Sequence, residues 1–173
     1  LQRLYIPLSS VSGKEAVLMN SFEIITHSPE ETEVLGEKLA ALLPRGTVVA
    51  LYGDLATGKT CLTRGLTRFF SKNAQVHSPT FTLVNEYGED PVLYHLDLYR
   101  LQGEEELLSL GYEDIIESGG ICLIEWADRA VSFLPPDRLD IFLEHAGGDT
   151  RILRFEAGRV ADPLAAKLLT LIS

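Results

Sequence analysis

Eight consecutive residues have the types and spacing to do chemistry. Gly53-Asp54-Leu55-Ala56-Thr57-Gly58-Lys59-Thr60 fits G-x-x-x-x-G-K-[ST], the pattern of a phosphate-binding P-loop. Glycines let the backbone turn so that its N–H groups converge on one concavity. A helix starting there aims its unpaired N–H groups and positive dipole end at the same point. Lys59 adds a full charge at the β- and γ-phosphates, and the Thr60 hydroxyl is of the kind that ligates Mg²⁺. Cys61 closes the stretch assigned to the nucleotide. The competing reading is a glycine-bearing turn with no ligand.

Such a loop needs carboxylates to hold the metal and order a water, and they belong at the carboxyl ends of neighbouring strands. In Val92-Leu93-Tyr94-His95-Leu96-Asp97 an apolar-rich run ends in Asp97. In Ile121-Cys122-Leu123-Ile124-Glu125 four residues of a buried-type strand precede Glu125. Asp97 and Glu125 are the two candidates to hold the metal and order the water; for each, an exposed carboxylate opening a loop is the alternative. Between them and the loop, His77-Ser78-Pro79-Thr80 clusters hydroxyls ahead of a strand, and Thr80 is the candidate for reaching the γ-phosphate or its water. A plain Ser-Pro turn fits those four residues equally well. Trp126 is assigned to the core in preference to the nucleotide. His77 and His95 lack a third ligand at metal spacing and receive no metal role.

The elements that must position these groups can be read from the chain. A strand is expected at Phe22–Ile25. Ser28-Pro29-Glu30-Glu31 is an S-x-x-E capping box with proline at the first helical position. The helix it opens is expected to run to Leu43 on an apolar stripe containing Val34, Leu35, Leu39, Leu42 and Leu43. Thr47–Tyr52 is an unbroken β-favouring run of the kind buried on both faces of a parallel sheet. A helix over Lys59–Ser71 follows the loop. Strands are expected at Thr82–Tyr87, Val92–Leu96, Ile121–Trp126, Leu139–Glu144 and Arg151–Glu156, and a last helix at Pro163–Leu171. No repeat, low-complexity tract or linker divides the chain. The expected fold is a single α/β P-loop NTPase domain over residues 19–173, with a mainly parallel central sheet flanked by helices. Residues 1–18 precede the only methionine, Met19, and are read as an extension, with an ordinary strand and turn as the alternative.

Composition narrows the function classes. Among 173 residues, 46% hydrophobic and 23% charged suffice for a real core, so wholesale disorder is excluded. No apolar run reaches the roughly 18 residues that span a bilayer. Two cysteines outside any ligand spacing suggest neither a disulfide framework nor a zinc site, which fits a reducing cytoplasm. The net charge of −10 argues against an autonomous nucleic-acid binder. That charge is segregated: residues 55–85 carry no acid and +4, whereas residues 86–117 hold ten acids against Arg100 alone. Arg64, Arg68 and Lys72, spaced by four, are expected on one helix face as a basic stripe, either solvated or in contact with a partner or RNA. The acidic block is read as a protein-docking surface.

Taken together, GDLATGKT followed by TRG, then HSPTFTLVNEY, YHLDLYRL, LGYEDI and ICLIEWADR resemble the TsaE (YjeE) family of bacterial tRNA threonylcarbamoyladenosine biosynthesis ATPases, over about Ser28–Phe155. The resemblance implies a small P-loop ATPase that binds ATP and Mg²⁺. It implies action with the TsaD and TsaB proteins, which place the threonylcarbamoyl group on an adenosine beside the tRNA anticodon. Lys59 and Thr60 match the family's phosphate-binding lysine and metal-ligating threonine, Asp97 its acid implicated in hydrolysis, and Glu125 its metal-site glutamate. Ser78-Pro79-Thr80 match a switch-like segment, and Arg151 matches an arginine near the nucleotide base. Ala56-Thr57 replaces the usual Gly-Ala and Cys61 the usual second threonine, changes that keep every liganding group but bear on affinity and thiol sensitivity. Two other functions remain open: a small nucleotide or metabolite kinase, disfavoured by the acidic Gln102–Glu117 region where a lid would carry arginines, and a nucleotide-dependent binding module.

Overall fold

The computed structural model describes residues 2–4, 20–71, 83–157, 167 and 170. The Ser78-Pro79-Thr80 segment, Lys72, and most of the expected extension and final helix lie outside them.

An eight-stranded sheet has the order β1-β2-β8-β7-β3-β6-β5-β4. Its centre is parallel: β3 (Val48–Tyr52) lies between β7 (Leu139–His145) and β6 (Ile121–Glu125), and β6 pairs with β5 (Leu93–Asp97). The flanks are antiparallel. β4 (Val84–Tyr87) pairs with β5, while β8 (Arg151–Ala157) joins β7 to β2 (Asn20–Thr26), and β1 (Gln2–Leu4) edges β2. The expected α/β architecture is therefore present.

Strand alternation sorts side chains into two cores. Val49 and Leu51 of β3 join Leu93, Leu123 and Ile141 beneath α1 (Pro29–Ala40) and α2 (Lys59–Phe70). Val48 and Ala50 turn to the other face, with Leu96, Cys122 and Ile124. The short helices α3 (Glu104–Ser109) and α4 (Tyr112–Glu117) contribute Leu107 and Tyr112 there, alongside the 3-10 segment Ala127–Phe133. β3 is thus buried on both faces, as its unbroken apolar run requires.

The Ser28 cap forms, its Oγ accepting from Glu31 N at 3.1 Å, and Glu31 Oε2 reaches one residue past the cap to accept from His27 N at 2.9 Å. Two expectations for α1 need correction. The helix ends at Ala40, with Leu42 and Leu43 packing from the turn beyond. Val34 is 45% exposed, because the buried face runs through Thr32, Leu35, Gly36, Leu39 and Ala40. Gly36 and Gly65 explain that rotation. A Cβ on Gly36 would lie 3.1 Å from Gly65 Cα, and one on Gly65 would collide with the Glu33 carbonyl, so the two helices cross backbone against backbone.

The same crossing pairs two members of the basic stripe with an acid on α1, while both arginines stay partly exposed to solvent. Arg64 Nε and Arg68 Nη2 each reach Glu33 of α1 at 2.8 Å. The acidic block is not one surface. Asp90 pairs with Arg45 at 2.6 Å, and Asp97 is 8% exposed in the interior.

Candidate functional site

The loop after β3 turns through Gly53 (φ +139°), Ala56 (φ +65°) and Gly58 (φ +106°) before α2 begins at Lys59. Ala56 holds a left-handed conformation that ordinarily favours glycine, at a cost of about 1–2 kcal/mol. Thr57 is 4% exposed and donates its hydroxyl to Asp54 O at 2.9 Å, bracing the loop from behind. Lys59 is equally buried; its Nζ donates to Gly53 O and, at 2.7 Å, to Asp54 O, and sits 3.7 Å above the Trp126 ring. Burial lowers the Lys59 ammonium below its ordinary range, against the opposing pull of Glu125, Asp128, Asp54 and Asp97.

Glu125 and Asp97 end adjacent parallel strands in direct register. Leu93, His95 and Asp97 of β5 and Ile121, Leu123 and Glu125 of β6 share the sheet face that packs on α2. Glu125, 2% exposed, accepts from Thr63 Oγ1 at 2.8 Å and pairs with His95 Nε2 at 3.1 Å, both through Oε1. Its Oε2 lies 3.4 Å from Thr60 Oγ1. Burial pushes the Glu125 carboxyl up, but His95, Thr63 and Lys59 together outweigh it and leave the carboxyl below its ordinary value. Asp97 accepts from Tyr99 N through Oδ1 at 3.0 Å.

A cavity of about 420 Å³ opens where these elements meet. Leu55, Ala56, Gly58, Lys59, Thr60 and Cys61 line one wall, with Asp97 and Glu125 at the strand ends. Arg151 lines it from β8: a Cβ on Gly58 would lie 3.7 Å from Arg151 Cγ, so its stem passes over the loop. Its Nη1 donates to Gly148 O at 3.0 Å and Thr150 O at 2.9 Å, and its buried Nε has no partner. Gly53, Asp54 and Thr57 shape the loop without lining the cavity, and Thr80 lies outside the described residues.

Several participants were not legible as such. Trp126 packs against the core, as expected, but it also lines the cavity, with φ +58° and its ring beneath Lys59. Arg100, which drew attention only as the single cation of the acidic block, lines the cavity too. His95 and Thr63 touch the site through Glu125. Their spacing offers a clue after the fact: His95 precedes Asp97 by two on one strand face, and Thr63 follows Thr60 by one helical turn.

The donor chemistry suits Mg²⁺. Thr60 and Glu125 present hard oxygen donors beside the loop of residues 53–60, the kind that would hold Mg²⁺ there. Among the described residues there is no cluster of three or more His, Cys, Asp or Glu that would form an all-protein cage. Among the described residues, no helix is long and apolar enough to cross a membrane.

The family model for Threonylcarbamoyl adenosine biosynthesis protein TsaE matches residues 26–153. The chain is 40% identical over 133 residues to the tRNA threonylcarbamoyladenosine biosynthesis protein TsaE of Bacillus subtilis, covering 76% of this chain and 83% of that one. It is 38% identical to the Treponema pallidum protein of the same name, covering 69% of this chain and 88% of the relative. The crystal structure of Bacillus subtilis YdiB superposes with a TM-score of 0.76 at 31% identity, covering 91% of this chain and all of that one. With the loop, the strand-end carboxylates and the sheet order all in place, the chain belongs to the TsaE family of tRNA threonylcarbamoyladenosine biosynthesis proteins.

Proposed function

We propose that this protein is a Mg²⁺-dependent ATPase serving as an accessory subunit of the assembly, with TsaD and TsaB, that builds threonylcarbamoyladenosine on tRNA. The observation that carries this reading is the convergence of Lys59, Thr60, Asp97 and Glu125 on one cavity at the carboxyl ends of β3, β5 and β6. The loop N–H groups and the α2 N-terminus hold the ATP phosphates, and Lys59 exchanges its contacts with Gly53 O and Asp54 O for them. Thr60 and Glu125 would hold the metal, which neutralises charge developing between the β- and γ-phosphates when bound. Asp97 orients the water that attacks the γ-phosphorus, releasing ADP and phosphate. Arg151, which lines the same cavity, is assigned to the nucleotide.

Protein groups alone give slow hydrolysis, and partners that order the site accelerate it. The threonylcarbamoyl transfer belongs to the partners. A tRNA contact is indirect or narrow, since Arg64 and Arg68 are engaged by Glu33.

Phosphate release is to be measured from the full chain with Mg²⁺ or EDTA, alone and with TsaD and TsaB. Lys59→Ala is expected to lower ATP binding and turnover by about 10²-fold or more. Undiminished turnover in Lys59→Ala, or rates indifferent to the partners, would count against the proposal. Transfer of phosphate to nucleoside monophosphates would replace it with a kinase.

A further inference from the structure

Glu125 is held in an asymmetric way. Its Oε1 takes the two shorter side-chain contacts, Thr63 Oγ1 from α2 at 2.8 Å and His95 Nε2 from β5 at 3.1 Å. Its Oε2 takes neither, and accepts only the longer contact from Thr60 Oγ1 at 3.4 Å. A glutamate side chain has three torsions, and two donors arriving from separate elements fix the carboxylate plane and decide which oxygen points at the loop. His95 is fully buried, and its Nδ1 has no hydrogen-bond partner. Among the described hydrogen bonds, Glu125 is therefore the ring's one polar engagement. Burying an imidazole with one nitrogen unsatisfied is unfavourable compared with burying a leucine, so packing alone does not account for the residue.

We infer that His95 and Thr63 are positioning residues that lock Glu125 through Oε1 and present Oε2, beside the Thr60 hydroxyl, as the metal-facing oxygen. The inference rests on the Mg²⁺–ATP reading of the site. Neither residue touches the nucleotide or the metal; both act through the carboxylate, as outer-shell partners of metal ligands do.

The test uses the full chain saturated with ADP and reads Mn²⁺ affinity by electron paramagnetic resonance, with ADP affinity in EDTA measured in parallel. His95→Leu and Thr63→Val are each expected to weaken Mn²⁺ binding by at least about 10-fold, while ADP affinity in EDTA stays within about twofold of wild type. His95→Gln, whose amide N–H can reach the same oxygen, is expected to recover most of the loss. A role confined to packing would lower the melting temperature and leave Mn²⁺ affinity in place. A change below about 10-fold in both variants, with Glu125→Gln still losing the metal, overturns the inference alone. Should His95→Leu fail to fold, Thr63→Val decides by the same criterion. Wild-type Mn²⁺ and ADP binding in both Glu125→Gln and Lys59→Ala would instead remove the site reading itself, and the inference with it.

Discussion

Glu125 and Asp97 occupy equivalent places, at the ends of neighbouring parallel strands with their Cα atoms in register, and both line the same cavity. Their surroundings differ. Glu125 is engaged by side chains from two other elements, Thr63 on α2 and His95 on β5, with Thr60 at its second oxygen. Asp97 accepts a backbone N–H from Tyr99, two residues along its own chain. Glu125 is part of the sheet–helix packing, while Asp97 takes a hydrogen bond from a turn of its own chain. A shared position on the sheet therefore brings a group to the site, while its cross-element partners determine how firmly it is aimed and how much of the fold depends on it.

The sharpest way to break this contrast is to delete each carboxylate and read stability alongside turnover. Glu125→Ala is expected to lower hydrolysis by about 10²-fold or more. It should also cost about 1–3 kcal/mol for each donor it leaves buried and unpaired, read as a drop in the urea midpoint. Asp97→Asn is expected to reduce hydrolysis while keeping ATP binding, with stability within about 1 kcal/mol of wild type. Equal stability losses in the two variants would erase the distinction.

Acid titration gives a finer test. The folded Glu125 carboxyl lies below its unfolded value of 4.5, so its ionised form favours the native state. That contribution is present above pH 4.5 and is lost as pH falls through the folded value. The stability advantage of wild type over Glu125→Gln should accordingly shrink below pH 4.5 and hold constant above it. An advantage that persists unchanged in acid would mean that packing, and not charge, holds the residue.

Legibility followed the range of each interaction. The cap at Ser28, the doubly buried β3, the glycine-bearing loop ahead of α2 and the two strand-end carboxylates were readable because each depends on neighbours within a few residues. Val34 was placed on the wrong face because the facing of α1 is set by Gly36 against Gly65 of another helix. That Arg64 and Arg68 share one face of α2 follows from their spacing, whereas their pairing with Glu33 depends on another helix and is not visible locally. The six-residue helices α3 and α4 were not anticipated, since so short a span shows no periodicity.

The amino-acid order alone specifies a loop of the pattern G-x-x-x-x-G-K-T between a buried strand and a helix, and carboxylates at two later strand ends. Local backbone chemistry and short hydrophobic runs are enough to specify these. The tertiary structure alone decided that β6 lies between β3 and β5, so that Glu125 meets Thr60 and Thr63 from α2 and His95 from β5. It also decided that Trp126 lies beneath Lys59. Strand order and helix facing are collective outcomes of burying both sheet faces at once, and no short stretch of chain encodes them.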